Sequence, residues 1–114
     1  MKRFADAFNG IFCSVKSQKN MKIHIAAAII VIGFGFFFEV SPTEWSLLIL
    51  TIGLVIAAEI FNTAIEWLCD FIEPNHDKKI GLIKDAAAGA VLVLSIAAFA
   101  VGLLIFLPKI LNYV

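Results

Sequence analysis

The chain has 114 residues, of which 61% are hydrophobic, and its nine basic and nine acidic side chains cancel to a formal net charge of zero. That length accommodates one domain, residues 1–114, and a mean hydropathy of +0.97 exceeds what so small a domain can bury in a core of its own. Lipid has to cover the remainder, and the balanced charge excludes the basic footprint that nucleic acid demands.

The N-terminal stretch, Met1 to Lys22, carries charged and polar residues throughout. It lacks the short apolar run and small-residue cleavage site of a secretory signal, so no cleavable leader is expected. Within it Phe4, Phe8, Ile11, Phe12 and Val15 recur at three- and four-residue spacings. Such a stripe, flanked by basic residues, predicts an amphipathic helix over about 3–20 lying on the membrane surface. A cytoplasmic extension of the first span is the rival reading.

Three apolar stretches follow and predict an all-α membrane protein with spans at about 22–39, 44–71 and 84–107. A helix needs ~20 apolar residues to cross the hydrocarbon, with a range of ~17–25. The second and third reach this easily. The first is short unless Met21 and Lys22 form a snorkelling entry. Ser41-Pro42-Thr43-Glu44 reads as a tight turn in which Ser41 or Thr43 caps the second span. Glu73-Pro74-Asn75-His76-Asp77 reads as a loop, and Pro108 closes the third span.

Direction follows from Lys and Arg in the short loops. Lys2, Arg3, Lys16, Lys19 and Lys22 precede the first span; Lys78 and Lys79, with Lys84 just beyond, lie between the second and third. The first loop has none and the C-terminus has Lys109. The N-terminus and second loop are therefore expected in the cytoplasm and the C-terminus outside. Trp45 and Trp67 suit interfacial anchors, and Tyr113 suits the outer boundary.

The chemistry concentrates between Ala57 and Asp85. Glu59, Asn62, Glu66 and Asp70 are separated by three, four and four residues, which places them on one helical stripe over about 16 Å. Carboxylates on an apolar helix are costly in lipid unless they meet a partner, water or a cation. Glu66 and Asp70 read equally as a solvated helix end. Glu59 lies about two turns deeper, which makes it a candidate proton acceptor or ion ligand.

Lys84-Asp85 opens the third span ahead of Ala86-Ala87-Ala88-Gly89-Ala90. The small residues suit close helix packing. Lys84 and Asp85 read either as a phosphate-holding pair or as a snorkelling pair at the boundary. His24 and His76 are isolated, whereas a metal site needs converging ligands; His76, in the loop, is placed to touch a nucleotide. The two cysteines, Cys13 and Cys69, fit no metal or redox spacing and read as small hydrophobes. No Gly-rich phosphate loop is present. A phosphoryl transferase without one must compensate triphosphate charge by Mg²⁺ held on carboxylates, together with a Lys.

At these residues the sequence resembles the prokaryotic diacylglycerol kinase family, whose Gram-positive branch phosphorylates undecaprenol. The matching stretches are Glu59-Ile-Phe-Asn-Thr-Ala-Ile-Glu66, Asp70, Lys84-Asp-Ala-Ala-Ala-Gly-Ala90 and Ile105-Phe-Leu-Pro108, with Lys19-Asn20-Met21 and His24 upstream. The resemblance implies a homotrimeric bundle in a bacterial inner membrane, with active sites shared between neighbouring subunits at the cytoplasmic interface. It implies ATP as co-substrate, Mg²⁺ as cofactor and a lipid alcohol as acceptor. Glu59 would be the base on the lipid hydroxyl and Asp85 would support the catalytic arrangement. Asn62 and Asp70 would shape the nucleotide site, Lys84 would contact phosphate and Glu66 would bind the metal; His76 and Asp77 are counted with the nucleotide site from their place in the loop, not from the resemblance. One position departs from the pattern. The family's second metal-binding Glu is here Gln18, in Ser17-Gln18-Lys19-Asn20, and an amide oxygen ligates Mg²⁺ without contributing charge.

The function expected is thus ATP- and Mg²⁺-dependent phosphorylation of a membrane lipid alcohol, undecaprenol ahead of diacylglycerol. The alternatives are a small proton-coupled transporter, which would normally show four spans and one dominant carboxylate, and a non-catalytic membrane scaffold.

Overall fold

A computed structural model describes residues 2–114, all of whose regular structure is helical. The elements are α1 (Lys2–Ser17), α2 (Lys19–Phe37), α3 (Pro42–Ile72) and α4 (Lys78–Tyr113). The last three are long and apolar enough to cross a membrane. α3 and α4 have 31 and 36 residues, more than the ~20 that the hydrocarbon requires. Asp70 and Lys84 lie in the stretches where the two helices are joined.

From Lys2 to Tyr113 the described residues are continuous helix except at three breaks, each with a local cause. At Gln18 the backbone is extended, at φ −116° and ψ 124°, so α1 and α2 are separate helices. At the α2–α3 turn Glu39 adopts a left-handed φ of 51°, its N–H donates to Phe36 O, and the N–H of Val40 donates to Gly35 O. That pair of bonds is the Schellman arrangement, with Glu in the place glycine usually takes. Ser41 then caps α3: its Oγ accepts from Glu44 N, and its own N–H donates back to Glu44 Oε1. Pro42 opens the helix, where its missing N–H leaves no bond unmade. The sequence expectation of a Ser or Thr cap is met by Ser41, while Thr43 lies inside α3. At the third break Asp77 caps α4 by accepting from Lys79 N and Ile80 N, both at 3.1 Å.

Pro108 does not end the third long helix, contrary to the sequence expectation; α4 runs on to Tyr113. Tertiary contacts hold the segment beyond the proline. Lys109 Nζ lies 3.1 Å from Glu44 Oε1, and the Tyr113 ring packs on Phe37 and Phe38. One lost backbone bond is tolerated where neighbouring elements fix the helix on both sides.

The buried apolar cluster sits at this same end and consists of Val40, Leu48, Ile105 and Phe106, with Val31, Phe38, Trp45 and Val101 against it. Much of the remaining apolar surface faces outward, including Phe71, Leu104 and Phe99. Water would penalise such a surface; lipid or further copies of the chain would not. On α1 the residues Phe4, Phe8, Ile11 and Phe12 are exposed, while Ser14 is buried, its hydroxyl donating to Gly10 O. Cys69 is buried, whereas Cys13, read from sequence as another small hydrophobe, is exposed on α1.

Candidate active site

The sequence stripe on α3 divides into two groups along its length. The deeper group centres on Glu59, which is 2% exposed. Its carboxylate is held from both sides: Asn62 Nδ2 donates to Oε1 at 3.4 Å, and His24 Nε2, from α2, lies 3.2 Å from Oε2. One turn on, Thr63 is fully buried and its hydroxyl donates to Glu59 O at 3.0 Å. These partners answer the physical objection to a carboxylate in an apolar helix, because a buried charge is tolerated when it is hydrogen-bonded. Ala28, small and buried on α2, suits a close approach of helices.

Beside this carboxylate lies a pocket of about 270 Å³ whose wall includes Asn20, His24, Asn62, Ala88 and Ser95. Asn62 Oδ1 and Ser95 Oγ are buried there without a hydrogen-bond partner. Unsatisfied buried polar atoms in a pocket wall are acceptors and donors waiting for a ligand or water. A second cavity of about 370 Å³ shares His24 and Ser95 with the first and extends along Val55, Phe99 and Leu103 to Ile110. Its lining is almost wholly apolar. The two together suit a molecule with a polar end and a long apolar body.

The outer group lies where α3 ends and α4 begins. Lys84 Nζ is 2.6 Å from Asp70 Oδ1, with both side chains partly open to solvent. Cations so placed exchange a carboxylate for a phosphate oxygen readily. Glu66 is half-buried one turn before Asp70, and Asp85 is exposed beside Lys84. His76 and Asp77 are exposed in the loop, and one oxygen of Asp77 is engaged in capping α4.

Gln18 stands half-buried at the α1–α2 break and makes no side-chain cap bond. Among the described residues no three His, Cys, Asp or Glu side chains converge on one cation position. Mg²⁺ asks for less, since one or two carboxylates suffice when water and phosphate supply the other oxygens. Glu66, with the amide oxygen of Gln18, fits that donor set in kind.

Of the residues singled out in the sequence, the fold joins Glu59 to Asn62 and Asp70 to Lys84. It adds Thr63 and Ser95, which sequence reasoning passed over, and His24, which it read as isolated and gave no role. His24 was visible in principle. A carboxylate inside an apolar span requires a partner, and His24 is the one titratable side chain within the first apolar stretch.

Three membrane-length helices around a buried, hydrogen-bonded carboxylate define a multi-pass membrane protein with a polar site near one end of its bundle. The family model described as prokaryotic diacylglycerol kinase matches residues 5–106. An undecaprenol kinase of Bacillus subtilis is 43% identical over 108 residues, covering 95% of this chain and 88% of that protein. A diacylglycerol kinase of Synechocystis sp. is 33% identical over 110 residues, covering 96% of this chain and 63% of the longer relative. The chain belongs to the prokaryotic diacylglycerol kinase family, and by class it is a lipid kinase. Family membership removes the transporter and scaffold alternatives.

Proposed function

We propose that the protein transfers the γ-phosphate of ATP to the hydroxyl of a membrane lipid alcohol, undecaprenol in preference to diacylglycerol, at the cytoplasmic face. The observation that carries this reading is Glu59: a buried carboxylate hydrogen-bonded by Asn62 and approached by His24 Nε2 at 3.2 Å, bordering a pocket that shares His24 and Ser95 with an apolar cavity. Glu59 accepts the hydroxyl proton while the lipid oxygen forms its bond to the γ-phosphorus. The bond from that phosphorus to the β–γ bridging oxygen breaks, and ADP leaves.

Asn62, Asp70 and Lys84, with His76 and Asp77 from the loop, form the nucleotide site. Lys84 exchanges its contact with Asp70 for a phosphate oxygen. Asp85 supports the catalytic arrangement. Glu66 and Gln18 hold Mg²⁺, which when bound compensates phosphate charge. The preference for undecaprenol rests on the 43% identity to the Bacillus enzyme.

The working form is a homotrimer with sites shared between subunits. In support, a single chain leaves large apolar residues exposed and gathers no three-carboxylate cluster among the described residues. α1 lies along the membrane surface with Phe4, Phe8 and Phe12 toward lipid, the N-terminus is cytoplasmic and the C-terminus external. The basic residues on the α1 side and around the α3–α4 loop support that direction.

The test is transfer of labelled γ-phosphate in mixed micelles, with undecaprenol and diacylglycerol side by side, with and without Mg²⁺. Label appears in undecaprenol first and requires Mg²⁺. Faster labelling of diacylglycerol reverses the substrate preference. A folded protein that labels neither lipid and binds no Mg·ATP overturns the proposal.

A further inference from the structure

His24 belongs to none of the roles given above, yet among the described residues it makes the one polar contact from another helix to the Glu59 carboxylate. Its Nε2 lies 3.2 Å from Glu59 Oε2, with the imidazole 21% exposed and the carboxylate 2%. A contact of that kind is attractive when Nε2 carries a hydrogen and donates it to the carboxylate oxygen. The other oxygen, Oε1, is held by Asn62, which sits on the same helix as Glu59 three residues away. An intrahelical partner moves with the helix. A partner on α2 fixes the carboxylate relative to the rest of the bundle, and His24 also borders both cavities.

We propose that His24 is a positioning residue for the phosphoryl transfer, donating from Nε2 to hold the Glu59 carboxylate in the rotamer that faces the pocket. The inference rests on the reading of Glu59 as the proton acceptor. What His24 supplies is an N–H donor at one point in space, so any side chain that places an N–H there will serve. Glutamine carries its amide nitrogen about as far from the backbone as Nε2, whereas asparagine places it nearer the position of Nδ1.

Steady-state transfer by His24→Gln, His24→Asn and His24→Leu is measured in wild-type and Glu59→Gln backgrounds, with nucleotide binding followed separately. His24→Leu and His24→Asn lower kcat by ~10- to 100-fold, as loss of a supporting hydrogen bond typically does, with KM for ATP unchanged. His24→Gln recovers most of the loss. In the Glu59→Gln background none of the three has a further effect, because groups that act as a unit are not additive.

Three results overturn the inference: wild-type kcat in His24→Leu, a His24→Gln enzyme no better than His24→Asn, or the same fold-loss in both backgrounds. A Glu59→Gln enzyme with wild-type kcat removes the base reading and this inference with it. A Glu59→Gln enzyme that is inactive, alongside unimpaired His24 variants, removes only the inference. If His24→Leu fails to fold, the Gln–Asn contrast decides.

Discussion

At the end of the bundle where α2 turns into α3, polar groups are satisfied by neighbours close in sequence or by one cross-helix ion pair. Ser41 and Glu44 cap each other, Lys109 meets Glu44, and Phe34 packs edge to face on Phe38 and Phe106, which are tilted against each other. Towards the other end, Glu59, Asn62, His24 and Ser95 are drawn into an apolar surrounding, and two of their atoms lack partners. The first end is built to hold the hairpin together. The second carries polar groups that packing alone does not call for, and such groups are retained where a ligand or a reaction uses them.

Substitutions that separate stability from turnover sharpen this contrast, and the largest effect is expected at Glu59. Glu59→Ala lowers kcat by ~10²- to 10⁴-fold, the usual contribution of a positioned proton acceptor, while the helical circular-dichroism signal stays at the wild-type level. An active Glu59→Ala enzyme would break the comparison outright. Next, Glu66→Gln raises the Mg²⁺ concentration for half-maximal activity by at least ~10-fold, read from a Mg²⁺ titration at saturating ATP. An unchanged titration would remove Glu66 from the metal.

At the packed end the effects are smaller and fall on stability. A Cβ at Gly35 would come within 2.5 Å of Trp45 Cη2, so Gly35→Ala displaces the indole and costs ~1–3 kcal/mol. Its melting temperature in detergent drops, while activity per folded molecule stays at the wild-type level. Glu39→Gly has the smallest effect. It relieves a left-handed φ of 51° and raises stability by less than ~1 kcal/mol, visible as a small upward shift in melting temperature. A drop in stability there would mean that the Glu39 side chain, and not the turn geometry, holds the hairpin.

Much of the architecture was legible in the sequence because lipid leaves few options for a span: a run of apolar residues of sufficient length must be helical. The loop at Glu73–Asp77 and the turn capped by Ser41 announced themselves through Pro, Asn and Ser chemistry. Pro108 misled because the rule for a proline stop is local, while Lys109, Tyr113 and Glu44 act across helices. The stripe Glu59, Asn62, Glu66 and Asp70 was readable from spacing alone. Its division was not. Pairing Glu59 with His24 depends on how α2 packs on α3, and pairing Asp70 with Lys84 depends on how α4 folds back, neither of which spacing within one helix reports. Gln18 was conspicuous as a departure from a family pattern, and the helix break there gives it a place without yet giving it a role.

The most direct test of Glu59 as the proton acceptor is a single-turnover comparison of wild type and Glu59→Gln. Each enzyme is loaded with Mg·ATP, its nucleotide affinity measured first, and then mixed with undecaprenol in micelles. The account predicts equal nucleotide affinity and a transfer step slowed by at least ~100-fold in the variant. Equal transfer rates, or a loss of nucleotide affinity that accounts for the whole defect, would contradict it.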